Sequence, residues 1–202
     1  MRRILVTGFD AFGGNEKNLS WEVVSRLPDM IGGCRICRLR IPTVFGEGAL
    51  AAMRCAEEIS ADAILCVGQA GGRKNVTPEV IGVNIRDASI PDNAGRQPSG
   101  EPVVHGAGDG YFSTLPVRKI RDAILARGIP CELSYTAGTF VCNDVLFTLL
   151  NRYRGTRTAV GFIHVPADGI PEDRLTEALS AALETIAAEL DPPAEDTDRK
   201  ER

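Results

Sequence analysis

Residues 138–143 read Gly138-Thr139-Phe140-Val141-Cys142-Asn143 and begin the stretch of sequence that decides the fold class. Apolar residues at helical spacing follow over residues 145–153 and predict an amphipathic helix. Residues 159–165 are almost entirely apolar, as expected of a buried strand. A loop, a helix and a buried strand in this order are typical of an α/β protein.

The rest of the chain repeats this alternation. Strand-like patterns cover residues 4–7, 36–41, 63–67, 80–85, 131–135 and 159–165. Helical spacing recurs over residues 44–59, 116–127 and 172–190. The second of these segments opens with Pro116 and stops at Gly128, which are typical residues for the start and end of a helix. The pattern predicts an α/β sheet with helices on both faces.

We expect one domain over residues 1–190, since no linker-like segment divides this part of the chain. Residues 85–114 are rich in Gly, Pro and Asp and predict a long loop, a kind of segment that is usually functional or flexible. Residues 191–202 are polar with mixed charge, and we expect a disordered tail there.

The composition excludes several function classes. The 202 residues carry a net charge of −4, so no nucleic-acid partner is expected. The apolar start of the chain is too short for a signal peptide or a membrane span, which predicts a cytoplasmic protein without a membrane partner. The six cysteines stand mostly in apolar runs, where a thiol packs as a small hydrophobe. We therefore expect neither disulfides nor a metal site.

Cys142 and His164 are the candidate catalytic pair. Cys142 stands where the loop enters the predicted helix, and the dipole at a helix start favours an anion, so a lowered thiol pKa is expected. His164, one of two histidines, ends the next predicted strand and could hold the thiol proton. This pairing is typical of a cysteine hydrolase. The acid that would orient the histidine stays open among Glu79, Asp87, Asp92 and Asp144.

Two glycine-rich turns also follow predicted strands, at residues 8–14 and 68–72. Neither turn matches a nucleotide-binding glycine motif. The first turn carries Phe9 and Phe12, and phenylalanines on a loop favour the walls of a pocket. Ligands bind at the carboxyl ends of strands in open α/β sheets, so these turns, Cys142 and His164 are expected to meet at one edge.

The ordered motifs of the chain resemble those of the pyroglutamyl peptidase I family of cysteine exopeptidases from residue 4 to about residue 190. The matching segments are Thr7-Gly8-Phe9-Asp10, Phe12-Gly13-Gly14, Gly68-Gln69-Ala70-Gly71-Gly72-Arg73, Thr77-Pro78-Glu79, Ile90-Pro91-Asp92-Asn93, Ala137 to Asn143 and Gly161 to Pro166. The resemblance implies a three-layer α/β/α sandwich with a mixed, mostly parallel sheet, and a homotetramer. It also implies Cys142 as nucleophile, His164 as acid and base, and Glu79 as the orienting acid.

The implied substrates are peptides with an N-terminal pyroglutamyl residue, and no cofactor or metal is implied. A pyroglutamyl group has a flat lactam ring and no free amine, so it needs apolar walls and polar contacts for the lactam N–H and C=O. Phe9, Phe12 and Phe140 could supply the walls and Gln69 a polar contact.

The chain departs from the family pattern at three places. Val80 replaces the usual Arg after Thr-Pro-Glu, Ser89 replaces an Arg associated with the oxyanion site, and Ala167 replaces the usual Tyr. Turnover below that of relatives with the arginine is therefore expected. Arg86 could replace the missing group only if the chain bends between the two positions. The alternative function is a pyroglutamyl-peptide binding or sensing protein with little turnover.

Overall fold

The computed structural model describes residues 1–190, and the predicted disordered tail of residues 191–202 lies outside the described residues. The strands are β1 Arg3–Phe9, β2 Met30–Ile31, β3 Cys34–Ile41, β4 Ala63–Ala70, β5 Thr77–Pro78, β6 Ile81–Val83, β7 Gly110–Phe112 and β8 Ala159–Pro166. The helices are α1 Leu19–Ser25, α2 Glu47–Glu58, α3 Val117–Ala126, α4 Val141–Arg152 and α5 Glu172–Leu190. No helix within residues 1–190 is both long and apolar enough to cross a membrane.

The main sheet has the strand order β2-β3-β1-β4-β8-β5. Strands β3, β1, β4 and β8 are parallel to one another, while β2 and β5 run antiparallel at the two edges. The central strands are buried on both faces, which explains their continuous apolar sequences. The prediction of a mixed, mostly parallel sheet is confirmed.

Helices cover both faces of this sheet. Helices α1, α3 and α5 pack on one face, where Val23, Ile120 and Leu179 are buried in one apolar cluster. Helices α2 and α4 pack on the other face, with Ala52 and Leu146 in a second cluster. The three-layer α/β/α arrangement is therefore confirmed, and α4 lies directly over the parallel strands.

The predicted strand over residues 131–135 is wrong. This segment makes only two isolated bridges, from Cys131 to Val76 and from Ser134 to Glu79. Between the two bridges Pro78 lacks the backbone N–H that a continuous ladder needs, so the pairing is interrupted.

The predicted strand over residues 80–85 is shorter than expected and belongs to a separate two-stranded sheet. It is formed by β6, which pairs with β7 rather than with the main sheet. Strand β7 lies inside the segment predicted as a long loop over residues 85–114, so that prediction also needs correction.

The remainder of that segment is held onto the body of the protein by Asp92. Its carboxylate accepts hydrogen bonds from the backbone N–H groups of Phe45, Ala94 and Arg96 at 2.8–2.9 Å. Burial opposes ionisation of Asp92, but these hydrogen bonds outweigh it and the pKa of the carboxyl is lowered. The loop is thereby fixed beside Phe45, whose ring meets Phe140 edge to face at 5.3 Å.

Candidate active site

Cys142 lies in the first turn of α4, as the sequence predicts. The helix begins at Val141, and the N-cap residue is Phe140, whose side chain has no hydrogen-bonding atom. The first backbone N–H groups of a helix have no partner within the helix. These donors and the helix dipole therefore favour negative charge beside Cys142.

His164 lies near the carboxyl end of β8, between two neighbouring strands. Its register partners are Gly68 on β4 and Thr77 on β5. The side chain is buried, and its ring packs against the ring of Phe162 with centroids 4.7 Å apart.

Glu79 is the acid that contacts His164. Its Oε1 atom lies 2.7 Å from Nδ1 of the imidazole, and the Glu79 residue is fully buried. Its backbone N–H donates to the carbonyl oxygen of Phe162 at 2.9 Å, which fixes the residue against β8.

The other acids that the sequence left open are engaged elsewhere or exposed. Asp92 binds the backbone N–H groups described above, and Asp87 is exposed. Asp144 forms a buried ion pair with Arg86, whose Nε atom lies 2.6 Å from Oδ1.

Burial lowers the pKa of His164, and Arg73 adds to this effect, while Glu79 opposes it. The imidazole is therefore neutral near pH 7. Because an ionised carboxylate only accepts hydrogen bonds, Nδ1 of His164 carries the proton and donates it to Glu79. Nε2 is left as an acceptor with a free lone pair, which is the state that a general base requires.

The predicted lowered pKa of Cys142 is not found. Burial raises the pKa of its thiol to about 12, and the negative charge of Glu79 contributes to the rise. Arg73 acts in the opposite direction but is outweighed. Desolvation by the surrounding protein outweighs the effects that lower the pKa of the thiol, Arg73 and a backbone hydrogen bond. The resting pair is thus a neutral thiol beside a neutral imidazole.

Cys142 and His164 open into a small cavity of about 170 Å³. It is lined by Phe9, Phe12, Asn18, Thr43, Gln69, Ala137, Phe140, Cys142 and His164. Phe12 and Phe140 face each other with ring centroids 6.1 Å apart. The structure thus brings together every predicted site residue, with Glu79 placed behind the histidine.

Gln69 reaches the cavity from the end of β4. Its side-chain carbonyl oxygen accepts a hydrogen bond from the backbone N–H of Leu19 at 2.7 Å. This contact fixes the orientation of the amide, so its NH₂ is the group that can serve a ligand.

Sequence reasoning missed Asn18, Thr43 and Ala137 as lining residues. The Asn18 side chain accepts from the backbone N–H of Ser20 and caps α1, and Asn before a helix is a recognisable signal. Ala137 begins the family-like segment that leads to Cys142, which is a signal for it, whereas Thr43 carries none, because only the fold brings its loop to the cavity.

Arg86 does not take the place of the arginine that the family usually has at the position of Ser89. Its guanidinium pairs with Asp144, while Ser89 is exposed and is not among the residues lining the cavity. Hydrogen bonds between Asp87 and Thr139 nevertheless hold this segment beside the loop that leads to Cys142. Within residues 1–190, no group of three or more His, Cys, Asp or Glu side chains is arranged to hold a metal ion.

Comparison with known proteins gives one consistent result. The family described as pyroglutamyl peptidase matches residues 2–195. Pyrrolidone-carboxylate peptidase from Escherichia fergusonii is 42% identical over 198 residues, covering 92% of each chain. The enzyme of the same name from Thermococcus onnurineus is 43% identical, covering 91% of this chain and 92% of its own.

Solved structures agree in fold. Pyroglutamyl peptidase I from Bacillus amyloliquefaciens superposes with a TM-score of 0.90 at 40% identity, covering 93% of this chain and 98% of the other. Pyrrolidone carboxyl peptidase from Thermococcus litoralis gives a TM-score of 0.89 at 32% identity, covering 95% and 96%. The sequence motifs, the cavity and these likenesses together place the chain in the pyroglutamyl peptidase family.

Proposed function

We propose that this protein is a cysteine exopeptidase that hydrolyses the amide bond after an N-terminal pyroglutamyl residue. One observation carries the proposal: Cys142 and His164 line a small, aromatic-walled cavity, and Glu79 contacts His164 from behind. Family membership supports the same activity.

The cavity suits the pyroglutamyl ring in size and chemistry. Its volume of about 170 Å³ is below the roughly 300–1,000 Å³ of pockets for drug-sized ligands. The rings of Phe9, Phe12 and Phe140 offer apolar walls, and the NH₂ of Gln69 can donate to the lactam carbonyl. Among residues 1–190, no carboxylate side chain lines this cavity, which suits an N-terminus without an amine.

Acylation begins with the neutral pair. Nε2 of His164 takes the thiol proton while Sγ of Cys142 attacks the pyroglutamyl carbonyl carbon, so that no free thiolate has to persist in the buried site. Backbone N–H groups at the start of α4 stabilise the tetrahedral oxyanion. The imidazolium then protonates the departing amine, the C–N bond breaks, and a thioester to Cys142 remains.

Deacylation uses the same groups in reverse. His164 takes a proton from water, the hydroxyl oxygen attacks the thioester carbonyl, and the thiol of Cys142 leaves with the proton returned to it. Glu79 holds the imidazole in the tautomer that both steps require.

A cytoplasmic location and a homotetramer belong to the same proposal, as does a role that involves neither nucleic acid nor membranes. Five cysteines, Cys37, Cys55, Cys66, Cys131 and Cys142, are free thiols, as is usual in a reducing compartment. Phe112 and Tyr135 are large apolar side chains exposed on the chain and offer surface for contacts between copies. Light scattering on the purified protein would measure the number of subunits.

The test of the activity is release of a chromophore from a pyroglutamyl amide. We expect turnover by the wild-type protein and a loss of about 10³-fold or more in Cys142→Ala, as for other nucleophiles that act within a triad. Cys55→Ala is the matched control, since Cys55 lies on α2 away from the cavity, and its turnover should be unchanged.

The same assay separates the enzyme from a binding or sensing protein, which the exposed Ser89 in place of arginine would favour. Binding of a pyroglutamyl peptide by calorimetry without turnover would support the sensor and contradict the peptidase. Turnover that survives in folded Cys142→Ala would contradict the proposed nucleophile.

A further inference from the structure

Glu79 makes its hydrogen bonds through one oxygen atom. Oε1 lies 2.7 Å from Nδ1 of His164 and 2.6 Å from Nη1 of Arg73. Within residues 1–190, Oε2 is buried without a hydrogen-bond partner. Rotation of the carboxylate would therefore break both contacts at once, so Arg73 and His164 together determine its orientation.

Arg73 also supplies the charge balance of the site. A buried carboxylate is costly unless it is paired with a cation. His164 is neutral at rest for the reasons given above, so the guanidinium is the cation in contact with Glu79 among the described residues. The Arg73 side chain is 25% exposed, whereas that of Glu79 is fully buried, so water reaches the guanidinium but not the acid.

The same guanidinium contacts the loop that leads to Cys142. Nη2 of Arg73 donates to the carbonyl oxygen of Thr136 at 2.9 Å, and Nη1 also donates to Oγ1 of Thr77. Thr136 immediately precedes Ala137, which lines the cavity. One side chain thus links Glu79, the residue after β5, to the loop that leads to Cys142.

We propose that Arg73 is a positioning residue of this active site, which orients the Glu79 carboxylate toward His164 and fixes it relative to the Cys142 loop. The inference rests on the proposed function, because it assigns Arg73 a part in the same reaction. Arg73 itself does not touch the reacting atoms.

The role has a consequence for acid–base chemistry. The ionisable groups that face Glu79 are Arg73, His164 and Cys142. Without Arg73, protonation of His164 would become more favourable, since a positive charge that opposes this protonation is removed. A protonated imidazole cannot accept the thiol proton, so activity would be lost at a higher pH on the acid side.

The test uses Arg73→Met and Arg73→Lys with the pyroglutamyl amide assay. For Arg73→Met we expect kcat to fall by roughly 10- to 100-fold, since small misplacements of catalytic groups cost this much. KM should change little, and the acid limb of kcat/KM against pH should move to higher pH. For Arg73→Lys, which keeps the charge but not the forked geometry, kcat should fall while the acid limb stays in place.

Arg152→Met is the matched control, because Arg152 pairs with Glu57 at 2.8 Å on the exposed surface. Its kinetics should be those of the wild type. Added guanidinium ion should restore part of kcat in Arg73→Met and nothing in Arg152→Met.

If the wild-type protein hydrolyses the pyroglutamyl amide, two results would overturn the inference. One is an unchanged kcat and acid limb in folded Arg73→Met. The other is a rise in KM alone, which would assign Arg73 to substrate binding. If Arg73→Met fails to fold, Arg73→Lys decides, and an unchanged kcat there overturns the inference. Absence of turnover in the wild type would instead refute the proposed function.

Discussion

At the scale of single residues, the site depends on which groups are charged at rest. Burial raises the pKa of the Cys142 thiol and lowers that of His164, so both effects favour the neutral pair over a thiolate–imidazolium pair. Glu79 and Arg73 already form an ion pair beside them. The proton therefore moves only as the thiol attacks.

This charge state can be measured directly from the ultraviolet absorbance of the thiolate. The difference spectrum between the wild type and Cys142→Ser should show no thiolate band from about pH 5 to pH 9, since a thiol with a pKa of about 12 stays protonated over this range. A band already present at neutral pH and lost on acidification would contradict the neutral pair. Cys37→Ser provides the matched control for removing a partly exposed thiol outside the cavity.

The meeting of Cys142, His164 and Glu79 could be predicted from the sequence, but their protonation could not. A thiol at a helix start signals Cys142, and the family motifs signal His164 and Glu79. The sequence does not show how deeply the folded chain buries the thiol, and burial determines the sign of its pKa shift. Arg73 was missed for a similar reason, because nothing in its sequence context shows that its side chain reaches Glu79.

At the scale of the elements, helix α4 approaches strand β4 closely at Gly68. A Cβ atom at this position would lie 2.8 Å from Cζ of Phe162 and 3.0 Å from Sγ of Cys142. Phe162 cannot yield easily, since its ring is packed between Phe9 and His164. The glycine is therefore needed for the position of the Cys142 side chain rather than for a turn.

Gly68→Ala should lower kcat by roughly 100-fold through displacement of Cys142. It should also destabilise the protein by about 1–3 kcal/mol, the usual cost of overpacking. Gly161→Ala is the matched control, because its Cβ would meet Ser113 and Leu115 at 2.6–2.7 Å, away from the cavity. It should lose stability with kcat retained. Equal losses of kcat in the two folded variants would contradict this role of Gly68.

Most regular elements could be predicted from periodicity, while helix α1 and the edges of the sheet could not. Helix α5, Glu172–Leu190, was predicted at the same residues because an apolar stripe repeats over five turns. The segment over residues 131–135 has an alternating pattern but no continuous ladder, since Pro78 faces it on β5. The sequence pattern of one segment does not show whether the neighbouring strand has the backbone N–H donors that a ladder needs.

At the scale of the whole molecule, the site is assembled from segments far apart in the sequence. The turn after β1, the end of β4, the residue after β5, the start of α4 and the end of β8 all contribute to it. The carboxyl ends of parallel strands lie at one edge of a sheet, and this rule predicted the convergence. At this edge His164 is buried, and burial disfavours the protonated form that an exposed histidine takes below neutral pH. The protonation of a site residue and the stability of the protein are therefore linked.

The stability of the protein should therefore fall on mild acidification through His164. Burial lowers the pKa of His164 in the folded protein from the ordinary 6.5. Just below pH 6.5 the unfolded chain therefore binds a proton at this histidine while the folded protein does not. The stability that the neutral His164 provides is fully present above about pH 6.5. Below it the free energy of unfolding falls by up to about 1.4 kcal/mol per pH unit. Urea unfolding at a fixed protein concentration should show this slope in the wild type and in His105→Gln, whose side chain is exposed. His164→Gln should lose this slope. An equal slope in all three proteins would show that folding does not lower the pKa of His164.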